Sequence, residues 1–433
     1  MQTTENDRIR IADASFPKPF TGGLEFNAPA HGTWNIVHIG FKIPKAHQIY
    51  ICADNCMRGV VMTAAEMGEL SRFSSVILEE DDMVFAGRLE ESTIEGVTDV
   101  LNSLPEVPPV VIVFPVCVHK FMGCDINYIY DELGKRFPDV KFVRGFMDPV
   151  MQKRGTTPDQ RLRKAMFDII PEGEKDGSVT VIGCDMPLGK NKDNDIRILL
   201  ERQGVNIRDE ADCKTLEEYY DLGKCSSVIC SYPAGVLGTR AFCSRIGRPF
   251  VYMPFTFGYD EIDEALGQIG AVPVFNGRVS CDRAAAGLKT LLADTEIAID
   301  YTAVPRPLSL ARFLVSHGFN LKRIYLDAID QDEKKDFDWL VSNAPDVMLC
   351  ATMHVKGRRP VRSESDRKIL AVGQKAAWFE GTEYFVNMIE GGGLYGYAGI
   401  KAFLKLMEDA FIVPKDTEDI IPRKGLGCSS LLC

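Results

Sequence analysis

The chain has 433 residues, which at about 150 residues per domain corresponds to roughly three domains and excludes a single small binding module. Hydrophobic residues make up 45% and charged residues 26%, which excludes a disordered or collagen-like chain. The net charge is −11 and there is no block of Lys and Arg, so we expect neither nucleic acid nor anionic lipid as a partner.

No membrane or export segment is expected. The first residues, MQTTENDRIRIADASF, lack the basic-then-apolar order of a signal peptide. The longest apolar run, 107–118, is shorter than the ~20 residues of a membrane helix and contains three prolines, which favours a buried strand. We therefore predict a cytoplasmic protein with no membrane partner.

Thirteen cysteines are the most informative part of the composition. In a reducing compartment they do not form a disulfide framework, so metal binding, catalysis or core filling must account for them. Most are expected to fill the core, because free cysteine is among the most buried residue types. Those expected to be core filler are Cys184, Cys213, Cys225, Cys243 and Cys281.

Short β-rich runs alternate with helical patterns along the chain, which indicates parallel α/β layers. In the first third, the predicted strands are 48–52, 75–78, 83–85, 110–114 and 141–144, and the predicted helices are 94–104 and 126–137. A turn-rich linker follows at 171–177.

Two further α/β layers follow the linker. The second contains the strands SVTVIGCDMP, SSVICSYP and RPFVYMPF, with helices at 194–203 and through residue 242. The third begins near residue 296 and contains the strands KRIYLDAI and PDVMLCAT and a last helix at 399–411. We predict Rossmann-like domains at 1–172, 173–294 and 295–413, followed by a C-terminal extension at 414–433.

Two pairs of cysteines follow predicted strands. Cys52 and Cys56 come after one strand, and Cys117 and Cys124 after another. The carboxyl ends of parallel strands are where ligands collect, and four thiolates are what an iron–sulfur cube or a tetrahedral metal requires. The spacings are not standard for ferredoxins or zinc ribbons, so buried structural cysteines are the alternative.

Four segments resemble the nitrogenase component 1 family, in the family's order and over roughly residues 30–412. VVIVFPVCVHKFMGCDI is similar to its cluster-binding segment: Gly123, Asp125 and Ile126 hold the places of Gly-Asp-Asp-Ile, and Cys124 replaces the first Asp. LEEDDMVFAG, downstream of Cys56, resembles the family's E-K-D-V-V-F-G-G. The other two segments are SSVICSYPAGVLGTRAFCSRIGRPFVYMPFTFG and IEGGGLYGYAGIKAFLKLMEDA.

The resemblance implies an α/β fold of three Rossmann-like domains, with parallel sheets around a central cleft. It also implies an iron–sulfur cluster, either [4Fe-4S] or a larger bridging cluster, with Cys56 and Cys117 as matching ligands. The family's first cluster cysteine has no counterpart near Ala30, and its H-G-P motif is absent. Cys52 and Cys124 are additional, so either could complete the ligand set within one chain, or the cluster could be shared across a subunit interface.

Cys230 matches the cysteine that holds the large metal cluster in cofactor-bearing members, which makes it the predicted catalytic residue. The resemblance implies a second metallocluster or an organic cofactor nearby, and a strand-end core cysteine is the alternative. Val386 and Asn387 stand where the family has its cofactor histidine. This argues against dinitrogen reduction, and members that only assemble the cofactor also lack that histidine.

Two weaker candidates lie in the last third of the chain. Gly391, Gly392 and Gly393 precede a helix, so their backbone amides could bind an anionic cofactor, or they could simply form a tight turn. His354 follows a predicted strand and could face a cofactor, although an ordinary loop histidine is the alternative.

The sequence contains no G-x-x-x-x-G-K-[ST] motif, so ATP hydrolysis by a P-loop is not expected. The resemblance implies a separate ATP-dependent iron–sulfur reductase that delivers electrons to this chain, and a second copy or a sister subunit as a partner. The predicted function is an oxidoreductase subunit that passes low-potential electrons through its cluster to a substrate or metallocofactor. The alternatives are a non-catalytic scaffold for assembly of such a cofactor, and a metal-free α/β binding protein.

Overall fold

The computed structural model of the protein describes residues 6–21, 28, 30, 35–84, 87–147, 156–188, 193–270, 276–358 and 368–417. The strands, in chain order, are β1 (Arg8–Arg10), β2 (His47–Cys52), β3 (Phe73–Ile77), β4 (Val110–Pro115), β5 (Lys141–Arg144), β6 (Val179–Val181), β7 (Ile207–Asp209), β8 (Ser227–Cys230), β9 (Phe250–Tyr252), β10 (Glu296–Asp300), β11 (Asn320–Tyr325), β12 (Met348–Cys350), β13 (Ile369–Val372) and β14 (Phe385–Val386).

The helices alternate with these strands. In chain order they are α1 (Ile36–Gly40), α2 (Asp54–Glu66), α3 (Glu80–Val84), α4 (Arg88–Ser103), α5 (Cys117–Phe121), α6 (Ile126–Arg136), α7 (Pro158–Asp168), α8 (Asp195–Arg202), α9 (Leu216–Tyr220), α10 (Val236–Ile246), α11 (Tyr259–Gln268), α12 (Gly277–Leu292), α13 (Pro307–Ser316), α14 (Lys334–Asn343), α15 (Gln374–Glu380) and α16 (Gly396–Ile412).

The strands form three sheets. Sheet 1 has the order β3-β2-β4-β5, sheet 2 the order β7-β6-β8-β9, and sheet 3 the order β1-β12-β11-β10-β13-β14. Every strand pair is parallel except β1 with β12. Parallel strands joined by helices are the signature of the α/β class, so the predicted fold class is confirmed.

Sheet 1 shows why a continuous apolar run forms a strand here. β2 is buried along its whole length, and so is β4 except for its last residue. Successive side chains alternate between two hydrophobic cores, with Tyr50 and Phe114 on one face and Ile49, Ile51 and Val113 on the other. A parallel sheet that is covered on both faces needs apolar residues at every position.

The chain forms two compact units. Unit 1 contains Met1–Thr33, Met186–Gly204 and Met253–Cys433, and it includes sheet 3. Unit 2 contains Trp34–Asp185 and Val205–Tyr252, and it includes sheets 1 and 2. Within unit 2, one core joins the two sheets, because Phe114 of sheet 1 and Val228 of sheet 2 belong to the same cluster as Phe167 of α7 and Phe242 of α10.

The predicted domain limits at 172, 294 and 413 remain a prediction, and most of the 414–433 extension lies outside the described residues. One strand prediction is wrong. Residues 80–84 form α3 where a strand was predicted at 83–85, because three acidic residues in its first turn favour a helix N-terminus. The part of the chain that the structure describes contains no helix long and apolar enough to cross a membrane.

Candidate functional site

Each sheet has one point where the strand order reverses. In sheet 1 this point lies between β2 and β4, because β3 follows on one side and β5 on the other. In sheet 2 it lies between β6 and β8, and in sheet 3 between β10 and β13. Crevices outside the carboxyl ends of parallel strands at such points are where open α/β sheets bind ligands. Ligand sites are therefore expected at these three edges.

The reversal point of sheet 1 carries two accessible thiols. Cys56 is exposed and lies in the first turn of α2, which follows β2. Cys117 is half-buried and begins α5 directly after β4. Ile51 of β2 pairs with Pro115 of β4, so both cysteines follow neighbouring strands at the same edge of the sheet.

The other two predicted ligands lie in a different environment. Cys52 is fully buried in the core, and burial, together with the neighbouring Cys56 and Asp54, raises the pKa of its thiol to about 12. Cys124 packs on the second core, and burial together with Glu90 raises its pKa to about 11. A metal ligand must be a thiolate, and metal binding itself releases the thiol proton, so these pKa values describe the metal-free thiols.

An iron–sulfur cube needs four thiolates, and the two accessible thiols of this chain supply half of that set. Among the described residues, no three His, Cys, Asp or Glu side chains come together as a metal ion requires. Cys56 and Cys117 thus fit a cluster that a second subunit completes, whereas Cys52 is enclosed in the core and Cys124 packs against the second core. The ligand roles of all four remain predictions.

The reversal point of sheet 2 holds a second pair of thiols, Cys230 and Cys184. Cys230 ends β8 and is fully buried, and its Sγ lies 3.3 Å from the carbonyl oxygen of Tyr232. The Cys184 sulfur accepts a hydrogen bond from the Ser231 amide at 3.1 Å and lies 3.1 Å from the Ser231 hydroxyl.

The surroundings of the two thiols shift their pKa values in opposite directions. Hydrogen bonds from Cys230 and then Ser231 lower the pKa of Cys184, although burial opposes the shift. Burial and the Cys184 sulfur raise the pKa of Cys230 well above its usual range. Cys184 was expected to fill the core. Its position after the strand SVTVIG could have indicated a functional role, because the same criterion selected Cys56.

A buried network of charges fixes the backbone beside Cys184. The Arg163 guanidinium donates two hydrogen bonds to Asp185, at 2.7 and 2.8 Å, and one to the Gly183 carbonyl at 3.3 Å. Lys42 donates to the Cys184 carbonyl and lies 3.5 Å from Asp185 and 3.4 Å from Glu210. No sequence pattern indicated this network, because its members come from four separate segments of the chain.

The predicted glycines of unit 1 form a buried turn. Gly391, Gly392 and Gly393 have φ values of 78°, 57° and 76°, a backbone conformation that favours glycine. The amide of Gly391 donates to the Ala303 carbonyl at 2.8 Å, and that of Gly392 donates to Ile389 at 2.9 Å. These two amides are thus bonded within the chain, which favours the tight-turn alternative. A cofactor-binding role remains a prediction.

The helix after this turn is also capped from within the chain. Asp195 accepts the amides of Tyr397 at 2.6 Å and Ala398 at 3.3 Å, in the first turn of α16. A carboxylate of the protein therefore takes the place of an external anion at this helix end. His354 lies in the loop after β12, where its Nδ1 accepts the Lys356 amide at 3.2 Å, and its cofactor role likewise remains a prediction.

Unit 1 also has a pocket of about 470 Å³ that no sequence pattern indicated. Its charged lining comprises three acidic and three basic side chains, some of which pair with each other: Asp260, Glu261, Asp336, Arg278, Arg312 and Lys335. Because the two signs balance, the pocket has no charge preference that would identify a ligand. It therefore supports no functional assignment.

Comparisons with known proteins bear on the fold. No protein-family model and no curated protein sequence matches the chain. A solved structure described as "Nitrogenase Cp1 at pH 6.5" matches 90% of this chain and 94% of its own, with a TM-score of 0.67 and 14% identity. A second, "Nitrogenase Cp1 at pH 5", matches 94% and 93%, with a TM-score of 0.56 and 12% identity. The chain thus has a nitrogenase component 1-like fold, as the resemblance implied.

Proposed function

Starting from a nitrogenase component 1-like fold, we propose that this chain is the electron-accepting subunit of a two-component oxidoreductase. The observation that carries the proposal is the position of Cys56 and Cys117. The resemblance assigns these two residues to the cluster, and they are accessible at the reversal point of sheet 1. An iron–sulfur cluster bound there would supply one-electron redox chemistry at low potential.

Each chain contributes two thiols to this site, and a second copy or a sister subunit contributes the rest. Cys56 suits the task because it is exposed in the first turn of α2, at the carboxyl edge of sheet 1. The electron donor is a separate ATP-dependent iron–sulfur reductase, since this chain has no P-loop motif. The acceptor is a substrate or a metallocofactor.

The test is iron and acid-labile sulfide per chain in protein purified without oxygen, with an EPR spectrum after dithionite reduction. About two irons per chain are expected, which corresponds to one cube shared by two chains. Cys117→Ser should lose most of the iron. Cys213→Ser is the matched control, because Cys213 is also a half-buried cysteine of unit 2 and should keep it. Full retention of iron in Cys117→Ser would refute the ligand assignment.

The absence of iron, even after anaerobic reconstitution, would refute the electron-accepting function and leave the fold unaffected. Cys56→Ser provides a second, independent variant of the same site. It should lose iron as Cys117→Ser does, because the cube then lacks one ligand with a sister subunit, or two with a second copy, and is no longer fully coordinated.

A second candidate function is a scaffold that holds a cofactor precursor and catalyses no turnover. It is favoured by the two residues at the place of the family's cofactor histidine. Val386 is buried in β14, and the Asn387 side chain accepts a hydrogen bond from Gln374 at 2.8 Å. Oxidation of the reduced cluster upon addition of substrate would support the enzyme. Transfer of the cluster to another protein, without such oxidation, would support the scaffold.

A further inference from the structure

The segment that carries Cys117 is tied to α4 by two side-chain contacts. Thr93 Oγ1 lies 2.9 Å from Nε2 of His119, and Glu90 accepts the Asp125 amide at 3.0 Å. Glu90 and Thr93 are three residues apart in α4, so both side chains lie on the same face of that helix. Building on the proposed cluster site, we infer that Glu90 and Thr93 are positioning residues, which hold Cys117 in the orientation that the cluster requires.

The contact between Thr93 and His119 has a defined direction. The Thr93 hydroxyl donates its hydrogen to the Leu89 carbonyl at 2.7 Å, so its oxygen accepts and His119 donates from Nε2. Thr93 is fully buried and His119 is 1% exposed, so water has little access to this bond. Breaking it leaves a buried donor unsatisfied, which costs more than the bond itself contributes. The imidazole of His119 is thereby fixed against α4.

A fixed His119 in turn fixes the backbone around Cys117. His119 lies in α5, two residues after Cys117. Its amide donates to the Val116 carbonyl at 3.1 Å, and its carbonyl accepts the Cys124 amide at 2.9 Å. The backbone before and after Cys117 is therefore bonded to one anchored residue.

Glu90 anchors the other end of the same segment. Its carboxylate accepts the amide of Asp125, and the Asp125 side chain accepts the Tyr128 amide at 3.1 Å, which caps α6. The segment is thus held to α4 at both ends. These contacts use the backbone and neighbouring side chains, so the half-buried Cys117 thiol stays available for a metal.

A second pair of the same residue types, Glu95 and Thr98, lies five residues further along α4. The Thr98 hydroxyl donates to the Ile94 carbonyl at 2.7 Å and accepts from Arg136 at 3.0 Å, and Glu95 accepts from Arg136 at 2.8 Å. The spacing and the hydrogen bonds resemble those of the first pair, but Arg136 is the last residue of α6, far along the chain from Cys117. This second pair therefore provides matched controls on the same helix.

Hydrogen exchange of the iron-free chain tests the anchoring without any metal. Thr93→Val keeps the shape of the side chain and removes the hydroxyl, and Thr98→Val does the same at the control position. The amides of residues 117–125 should exchange about 2–10-fold faster in Thr93→Val than in Thr98→Val, which is the effect of one lost hydrogen bond. Thr93→Ser keeps the hydroxyl and should exchange as the wild-type chain does. Equal exchange in the two valine variants would overturn the inference.

The iron-loaded protein then shows whether the anchoring acts on the cluster. Side chains that orient metal ligands typically contribute about 10–100-fold to metal affinity, so the concentration of bathophenanthroline that removes half of the iron should fall by about that factor in Thr93→Val. The EPR spectrum of the reduced cluster should also change, which a loss of fold stability alone would not cause. Glu90 is only half-buried, so Glu90→Ala provides a second variant that should fold and show the same effects, whereas Glu95→Ala should show neither.

Two kinds of failure can be distinguished. If the wild-type chain holds iron and Thr93→Val has the EPR spectrum and chelator resistance of Thr98→Val, the positioning role is overturned and the proposed function stands. If the wild-type chain holds no iron after anaerobic reconstitution, the proposed function is refuted, and the positioning role with it.

Discussion

Replacement of Arg163 by Met should strongly destabilise unit 2. The Arg163 side chain is 1% exposed and makes two hydrogen bonds to Asp185, which is also 1% exposed. Without Arg163, the Asp185 carboxylate loses both of these hydrogen bonds and keeps Lys42 at 3.5 Å as a cationic partner. Breaking a buried ion pair from one side costs about 3–5 kcal/mol, because the other charge stays buried and poorly paired. The same variant also removes the 2.6 Å bond from Arg163 to Asp159.

Thermal denaturation followed by circular dichroism measures this effect. For a unit of about 200 residues, 1 kcal/mol shifts the melting temperature by about 2–4 °C, so a decrease of about 6–20 °C is expected. Arg136→Met is the matched control, because Arg136 pairs with Glu95 at 2.8 Å on the surface of the same unit. Exposed pairs contribute little, so this control should melt as the wild-type chain does.

The double variant Arg163→Met with Asp185→Leu sharpens the test. It removes the buried carboxylate together with its partner, so its destabilisation should be smaller than the sum of the two single effects. If Arg163→Met melts like Arg136→Met, the buried network does not stabilise the edge of sheet 2. The same conclusion follows if the destabilisations of the two single variants add up to that of the double variant.

Three further outcomes are expected. Burial raises the pKa of Glu333 from 4.5 to about 8, so the folded state keeps a proton that the unfolded chain releases, and this group by itself lowers stability as the pH rises from about 4.5 to about 8. Between these pH values, the melting temperature should therefore fall more, or rise less, in the wild-type chain than in Glu333→Gln. Gly373→Ala should destabilise unit 1 more than Gly318→Ala does. Both glycines have positive φ, but a Cβ at Gly373 would lie 2.2 Å from Asp300, whereas Gly318 faces open space. Equal melting temperatures of the two variants would contradict this. Cys117→Ser should melt as the wild-type chain does when both lack iron, because Cys117 is only half-buried; a large decrease would show that its loss of iron reflects unfolding.

The sequence alone determined the fold class and most of the strands. Fully apolar runs such as 110–114 predict strands buried on both faces, and β4 is buried as expected. The strand predicted at 141–144 has the bounds of β5. The resemblance to the nitrogenase component 1 family likewise predicted the fold that the structural comparison confirms. The positions of Cys56 and Cys117 after strands could also be predicted from the sequence, because strand ends are local features.

Only the tertiary structure determined which of these strands and cysteines lie next to each other. β1 pairs with β12 of sheet 3, with Arg8 opposite Cys350, although most of the chain lies between the two strands. β6 lies beside β8 and not only beside β7, and this strand order brings the segments that carry Cys184 and Cys230 to one edge of sheet 2. Periodicity reports burial and local conformation, whereas strand order depends on how helices cross over the sheet. For that reason the sequence located the individual cysteines, and the fold determined which of them share a sheet edge.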